Sequence, residues 1–139
     1  MKYQVLKESI TETMIIRLCS DRIVRILGKP NIVLSKEDLQ YNISEYNRLI
    51  QGNFYAFIYY SEDDTFTFDA GSIQYAKNNQ NSFPKICIAV VIKSFAQKLM
   101  ANFYLKFKPQ HTPFKIFNTL AEAENWCHNI IAEYDKKSK

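Results

Sequence analysis

Residues 86–92 read Ile-Cys-Ile-Ala-Val-Val-Ile and form the most continuously apolar run of this 139-residue sequence. β-Branched residues dominate the run, and no polar residue alternates with them, as is typical of a strand covered on both faces of its sheet. A second run of this kind, rich in Phe and Tyr, occupies residues 54–60. Both runs are far shorter than the ~20 residues that cross a bilayer. They predict the central strands of a covered sheet, and no membrane span.

Segments with helical patterning lie between and after these strands. Each follows a residue that can cap a helix with its side-chain oxygen, at Ser35, Asp69, Ser94 and Thr119. The last of them opens the sequence Thr-Leu-Ala-Glu, which is a capping box. Gly52 is expected to end the first helix, because glycine readily adopts the left-handed conformation found there. Four helices are therefore predicted.

Residues 14–18 and 23–27 are rich in β-branched and aliphatic residues, with a turn-forming stretch between them. They predict a β-hairpin, and residues 3–6 are a candidate for a further edge strand. Strands that alternate with helices imply right-handed crossovers onto a mostly parallel sheet. The sequence therefore predicts one α/β domain over the whole chain, with a mixed, mostly parallel sheet, an N-terminal β-hairpin and a charged C-terminal tail at residues 135–139.

Composition argues against several common functions. Gly28, Gly52 and Gly71 lie too far apart for the glycine-rich loops that hold dinucleotides or nucleoside phosphates. The 18 Lys and Arg residues are largely offset by 14 Asp and Glu, which leaves a formal net charge of +4. The only local excess of positive charge is a set of three lysines: Lys106, Lys108 and Lys115. Nucleic-acid binding needs basic residues clustered on one face, so no nucleic-acid partner is expected.

The cysteines and histidines do not form a metal-binding pattern. Cys19, Cys87 and Cys127 lie within apolar segments and are expected to be buried, reduced thiols of a cytoplasmic protein without a signal peptide. Cys127 and His128 point about 100° apart on a helix. Packing is therefore expected to explain Cys127, and solvent to explain His128. With His111 in a loop, no convergent ligand set emerges, and neither a metal nor another cofactor is predicted.

The sequence also lacks the usual signs of a catalytic centre. No Gly-x-Ser-x-Gly motif is present, and no Ser or Cys is matched to a His by its spacing. The acidic run Glu62-Asp63-Asp64 is expected to be hydrated in a loop, whereas a general acid needs a buried carboxyl group. We therefore expect no catalytic residues and no enzymatic activity.

Aromatic residues make up 14% of the chain. A core that these large rings fill completely is the simplest interpretation, since each ring supplies a large buried area. If the core is not full, a cavity lined by Phe and Tyr would suit an apolar or lipid-like ligand. If part of the aromatic surface is exposed instead, it would suit a protein interface. Tyr104 and Phe107, near the end of the third helix, are the candidates for that surface.

Three local signatures follow one another along the chain. Residues 21–25 read Asp-Arg-Ile-Val-Arg, and residues 102–105 read Asn-Phe-Tyr-Leu. The third is a spaced set: Pro109, Pro113, Phe114, Phe117, Glu122, Ala123 and Trp126. Together with the order of strands and helices, they resemble the SpoIIAA-like family of small bacterial proteins over nearly the whole chain. The resemblance implies a STAS-type α/β fold, which is related in shape to the CRAL-TRIO lipid-carrier domain.

The better-known relatives in this resemblance are anti-sigma-factor antagonists, which bind other proteins and are switched by phosphorylation of a serine at a helix start. Asp69 and Ile73 match their motif, but Ala70 and Gly71 occupy its two serine positions. Ser72 falls where the motif has glycine. A phosphate on Ser72 would gain from the helix dipole, although serine is also favoured there for local hydrogen bonding alone.

These observations lead to two functional hypotheses. The first is a non-catalytic cytoplasmic regulatory domain that binds another protein, or a second copy of itself, through Asp69, Gly71 and Ser72 and through the surface at Tyr104 and Phe107. The alternative is a carrier of a small apolar or lipid-like ligand in an aromatic-lined cavity.

Overall fold

The computed structural model describes residues 2–106 and 112–138. Its strands are β1 (Val5–Ile10), β2 (Met14–Cys19), β3 (Ile23–Gly28), β4 (Val33–Leu34), β5 (Ala56–Ser61), β6 (Thr67–Phe68), β7 (Cys87–Val91) and β8 (Phe114–Phe117). Its helices are α1 (Lys36–Ile50), α2 (Ala70–Asn78), α3 (Phe95–Leu105) and α4 (Leu120–Lys137). The predicted order of elements is confirmed, and α4 continues through the charged residues as far as Lys137.

Six strands form one sheet in the order β1-β2-β3-β5-β7-β8. β1, β2 and β3 are antiparallel neighbours, whereas β3, β5, β7 and β8 run parallel. One row of paired residues, Val24, Phe57, Ile88 and Phe114, crosses the parallel part. The predicted mixed, mostly parallel sheet with an N-terminal hairpin is therefore confirmed.

Two features of the strands differ from the sequence-based prediction. The edge strand β1 covers Val5–Ile10 rather than residues 3–6, and it pairs with β2 around a β-bulge. β4 and β6 form a separate two-stranded parallel sheet. Each has only two residues, which is too short for any alternation of apolar and polar side chains to be recognised.

The sheet carries apolar side chains on both faces because successive residues of a strand point in opposite directions. On one face, Val24, Ile26 and Phe57 pack with α1 residues such as Ile43 and Tyr46. On the other, apolar residues of β3, β5 and β7 pack against three residues of α4: Ala123, Cys127 and Ile131. The helices α1, α2 and α3 thus share one face, while α4 covers the other.

Each predicted capping residue begins its helix as expected. The side-chain oxygens of Ser35, Asp69, Ser94 and Thr119 accept hydrogen bonds from backbone N–H groups in the first turn. Ser35 and Asp38 form a reciprocal capping box, with N–O distances of 3.0 and 3.1 Å. These side chains accept hydrogen bonds from N–H groups that have no partner within the helix, and they fix the residue at which each helix begins.

A buried arginine joins the hairpin to α4. Arg25 lies on the α4 face of β3 with an exposed fraction of 1%. Its guanidinium donates to both carboxylate oxygens of Asp21 at 2.9 and 3.0 Å, and to Glu124 at 2.9 Å. The centre of the Tyr3 ring lies 3.5 Å from the guanidinium carbon. Because two carboxylates and a ring surround it, the arginine can remain charged inside the protein.

His128 belongs to the same cluster, so the expectation that solvent explains it is wrong. Its Nε2 lies 2.8 Å from the Asp21 carboxylate, and its side chain is only 21% exposed. One turn of α4 separates Glu124 from His128, and both therefore face the hairpin. Burial alone would raise the pKa of Asp21, but hydrogen bonds with Arg25 and His128 hold it below its usual value.

We expect Asp21→Asn to lower the free energy of unfolding at pH 7 by about 3–5 kcal/mol, because it leaves Arg25 buried with half of its partners. Since folding lowers the pKa of Asp21, the stabilisation is present above pH ~4 and is lost as the pH falls through the folded-state pKa. Urea unfolding at pH 7 and pH 3 should show the gap between wild type and variant narrowing in acid.

Glu8→Gln is the matched control, because the Arg17–Glu8 pair lies at the surface with 34% and 40% of the two side chains exposed. Its loss should stay within ~1 kcal/mol. Equal losses in the two variants would contradict a special role for the buried cluster.

Candidate functional site

A cavity of about 140 Å³ lies between the sheet and the helices of the α1 face. Its lining is mostly apolar and comes from both layers. The sheet contributes Ile26, Tyr59, Ile88, Val90 and Phe114. The helices contribute Leu39 and Ile43 of α1, Ile73 and Ala76 of α2, and Met100, Ala101 and Tyr104 of α3. The interpretation that aromatic rings fill the core completely is therefore wrong on this face.

Small side chains explain why space remains there. Ala76 of α2 and Ala101 of α3 both line the cavity. An alanine side chain ends one carbon from the backbone, so these two residues do not reach across the gap between helix and sheet. Protein interiors are otherwise packed as densely as organic crystals, with few voids larger than a water molecule. A cavity of this size is therefore a distinctive feature of the fold.

One wall of the cavity depends on a close approach of Phe66 to Gly28. A Cβ atom added to Gly28 would lie 2.5 Å from the Phe66 ring, so any larger residue would displace the ring. Gln97, in the first turn of α3, donates from Nε2 to the Phe66 carbonyl at 3.0 Å and to Ser61 Oγ at 3.1 Å. These bonds hold the start of α3 against the last residue of β5 and the segment that follows it.

Lys85 is the only charged residue among the described residues that line the cavity. It is partly buried, and its Nζ donates to the Phe83 carbonyl at 2.9 Å and also to the Gln80 carbonyl. The same nitrogen lies 4.1 Å from the centre of the Phe83 ring. Burial lowers the pKa of Lys85 to about 8. Most molecules therefore carry a charged Lys85 at pH 7.

The tyrosines at the cavity remain neutral at physiological pH. Burial raises the pKa values of Tyr59 and Tyr104, and that of Tyr46 behind them. The Tyr104 ring packs on Phe114 with 4.9 Å between ring centres. The lining therefore offers apolar surface, neutral hydroxyl and amide groups, and one ammonium group. An apolar lining with a few polar groups is typical of a small-molecule binding site.

Ser72 lies inside the domain. It is fully buried, and its hydroxyl donates to the Asp69 carbonyl at 2.9 Å, while its N–H donates to the Asp69 carboxylate at 2.8 Å. Gly71 precedes it on the exposed side of α2. A kinase would reach the hydroxyl only if the start of α2 opened, so phosphorylation of Ser72 stays a prediction. Ser72 also lines the cavity.

The residues proposed near the end of α3 have different positions. Tyr104 forms part of the cavity wall, whereas Phe107 and His111 lie outside the described residues. The large apolar side chains on the outer side of α3 are instead Phe95, Leu99 and Phe103, with exposed fractions of 74%, 54% and 47%. We call these three residues the α3 ridge.

Apolar residues lie on two sides of α3. The signal that separates them is the spacing, because the residues of the α3 ridge recur every four positions. Gln97, Met100 and Tyr104 recur at three and four positions on the inner side. The α3 ridge is therefore an apolar surface separate from the side of α3 that packs on its own sheet.

The remaining candidate groups lie away from the cavity. Within residues 2–106 and 112–138, no three His, Cys, Asp or Glu side chains are grouped so that they could hold a metal ion. Cys87 and Cys127 are buried on the α4 face with 3.9 Å between their sulfur atoms. A hydrogen bond to Cys127, together with burial, raises the pKa of Cys87.

No described helix has the length and apolar character of a membrane span.

Comparison with known proteins gives a family but no activity. The family model for DUF7793, a domain of unknown function, matches residues 17–131, and the chain therefore belongs to this family. No curated protein and no solved structure matches the chain. The matched region includes α1, α2 and α3, and with them most of the cavity lining.

Proposed function

We propose that this member of the DUF7793 family is a non-catalytic binding domain that carries a small apolar ligand in the cavity beneath α3. The observation that carries the proposal is the cavity itself, with its volume of about 140 Å³ and its mostly apolar lining. An engineered apolar cavity of ~150 Å³ in another protein stays dry and binds benzene. The volume here therefore suits a single ring or a short alkyl chain.

The energetics of burial support a reversible carrier. Each methylene group that leaves water contributes ~0.8 kcal/mol. A chain of six to eight carbons would thus gain ~5–6 kcal/mol before the entropic costs of binding are subtracted. A gain of ~5–6 kcal/mol corresponds to a dissociation constant of about 0.05–0.2 mM before those costs, and affinities near the millimolar range follow, since 1 mM corresponds to about −4 kcal/mol. Such a ligand can be loaded and released without a chemical step.

The proposal includes the absence of catalysis and a cytoplasmic location. Neutral hydroxyl and amide groups line the cavity beside Lys85, and burial keeps the tyrosines protonated. The three thiols are buried and form no disulfide, which fits a reducing compartment.

Filling the cavity should weaken binding. We expect Ala101→Phe to lower the affinity for octan-1-ol by at least about tenfold, because the new ring occupies space that the ligand needs. The melting temperature should be unchanged or higher, since the ring fills a void. The measurement is a titration followed by the ¹³C-methyl NMR signals of Met14 and Met100, which both line the cavity.

The matched control is Ala96→Phe, which makes the same substitution at an exposed position of the same helix. It should bind octan-1-ol with wild-type affinity. If the wild-type methyl signals do not shift with octan-1-ol, or if Ala101→Phe binds as tightly as wild type, the cavity is not a ligand site.

A second candidate function is a regulatory protein-interaction domain that resembles the STAS anti-sigma-factor antagonists. The α3 ridge favours it, because three large apolar side chains lie exposed along one line of a helix. The sheet with its N-terminal hairpin and four helices also fits the SpoIIAA-like relationship, which we retain as a proposal. The replacement of the motif's serines by Ala70 and Gly71 argues for an interaction that phosphorylation does not switch.

If the α3 ridge joins two copies of this chain, the wild-type protein should dimerise as its concentration rises. Leu99→Lys should then shift it to monomer, because the substitution places a charge at the centre of the ridge. Sedimentation velocity measures the change. Leu6→Lys, at an exposed apolar position of the edge strand β1, is the control and should leave the dimer intact. A wild-type monomer at all concentrations would count against self-association.

A further inference from the structure

We infer that the ligand carries a carboxylate group, which pairs with the ammonium group of Lys85 while the apolar remainder occupies the cavity. The inference rests on the proposed carrier function and specifies the chemical class of its ligand. It starts from the position of Lys85, which lines the cavity while staying in part accessible to solvent. A charged group in that position can meet the polar end of a molecule whose other end is buried.

Two hydrogen bonds fix the ammonium group in place. Lys85 Nζ donates to the carbonyls of Phe83 and Gln80, and the Phe83 ring lies beside it. An ammonium group has three N–H donors. These two bonds therefore leave one donor for a ligand, at a position that the protein has already ordered. A preordered donor costs little conformational entropy when the ligand arrives.

The charge of Lys85 also has no acidic partner among the described residues. Among the ion pairs of the described residues, none includes Lys85, and no Asp or Glu belongs to the described lining of the cavity. Backbone carbonyls supply partial charges only. A partly buried ammonium group without an acidic partner is costly, and a ligand carboxylate would supply the missing charge. The lowered pKa of Lys85 is consistent with this lack of a partner.

The cavity limits the rest of the ligand. A volume of about 140 Å³ accepts a ring or a short chain, and one ammonium group balances one negative charge. The chemical class is therefore a monocarboxylic acid with an aryl group or a medium-length alkyl chain. An alternative role for Lys85 is purely structural, in which its two bonds close the loop between α2 and β7 and no ligand is involved.

A series of eight-carbon ligands separates these possibilities. Octanoate, octan-1-ol and octylamine share one chain and differ in the charge of the head group at pH 7. We expect the wild-type protein to bind octanoate about tenfold more tightly than octan-1-ol, as one charge-assisted hydrogen bond provides. Octylamine, as its ammonium ion, should bind most weakly of the three. Isothermal titration calorimetry gives the three dissociation constants.

Two variants assign the preference to one side chain. Lys85→Met keeps a similar chain length without the charge, and it should bind octanoate and octan-1-ol equally. Lys93→Met removes an exposed lysine outside the cavity lining, and it should keep the tenfold preference. If Lys85→Met does not fold, the order of the three ligands on the wild-type protein still decides the matter.

The possible failures are distinguishable. Equal or tighter binding of octan-1-ol by the wild-type protein would overturn the role of Lys85 and leave the proposed carrier function intact. Retention of the octanoate preference in Lys85→Met would have the same effect. If neither octanoate nor octan-1-ol binds, the proposed function itself is wrong.

Discussion

The requirement to cover a sheet that is apolar on both faces determines the architecture of this domain. The parallel strands β3, β5 and β7 carry apolar residues at nearly every position, so neither face can remain in water. α4 covers one face with small and medium side chains such as Ala123 and Cys127. The other face is covered by α1, α2 and α3 together. The cavity lies where this second layer is incomplete.

The two faces of the sheet differ in the side chains that cover them. On the α4 face, Arg25 occupies a position that would otherwise hold an apolar side chain, and carboxylates from the hairpin turn and α4 neutralise it. On the opposite face, Tyr46, Phe57 and Phe83 pack closely around one another. The alanines of α2 and α3 leave the neighbouring space unfilled. The same sheet thus supports a dense aromatic cluster and a cavity side by side.

Much of the fold could be predicted from the sequence because its signals are local. Ser35 and Thr119 mark helix starts through contacts three residues away, and the run at residues 86–92 identifies a central strand by its own composition. The cavity could not be predicted in this way. It is the difference between the volume that the layers enclose and the volume that their side chains fill, and residues from nine of the described strands and helices decide it.

The polar clusters were hidden for a related reason. Arg25 and Glu124 are 99 positions apart along the chain, and His128 and Asp21 are 107 apart. No spacing rule connects residues that meet only after the sheet and α4 have packed together. The sequence still pointed to part of the site. It predicts a switch at Ser72 and an interaction surface at Tyr104, and both residues line the cavity.

The central claim is that an open, apolar cavity exists beneath α3 in the ligand-free protein. A crystal structure determined under xenon pressure tests it most directly, because xenon enters apolar cavities of this size without needing polar partners. The account predicts xenon density in contact with Met100, Ala101 and Phe114. A crystal structure in which α3 has moved onto the sheet and no xenon binds between them would contradict it.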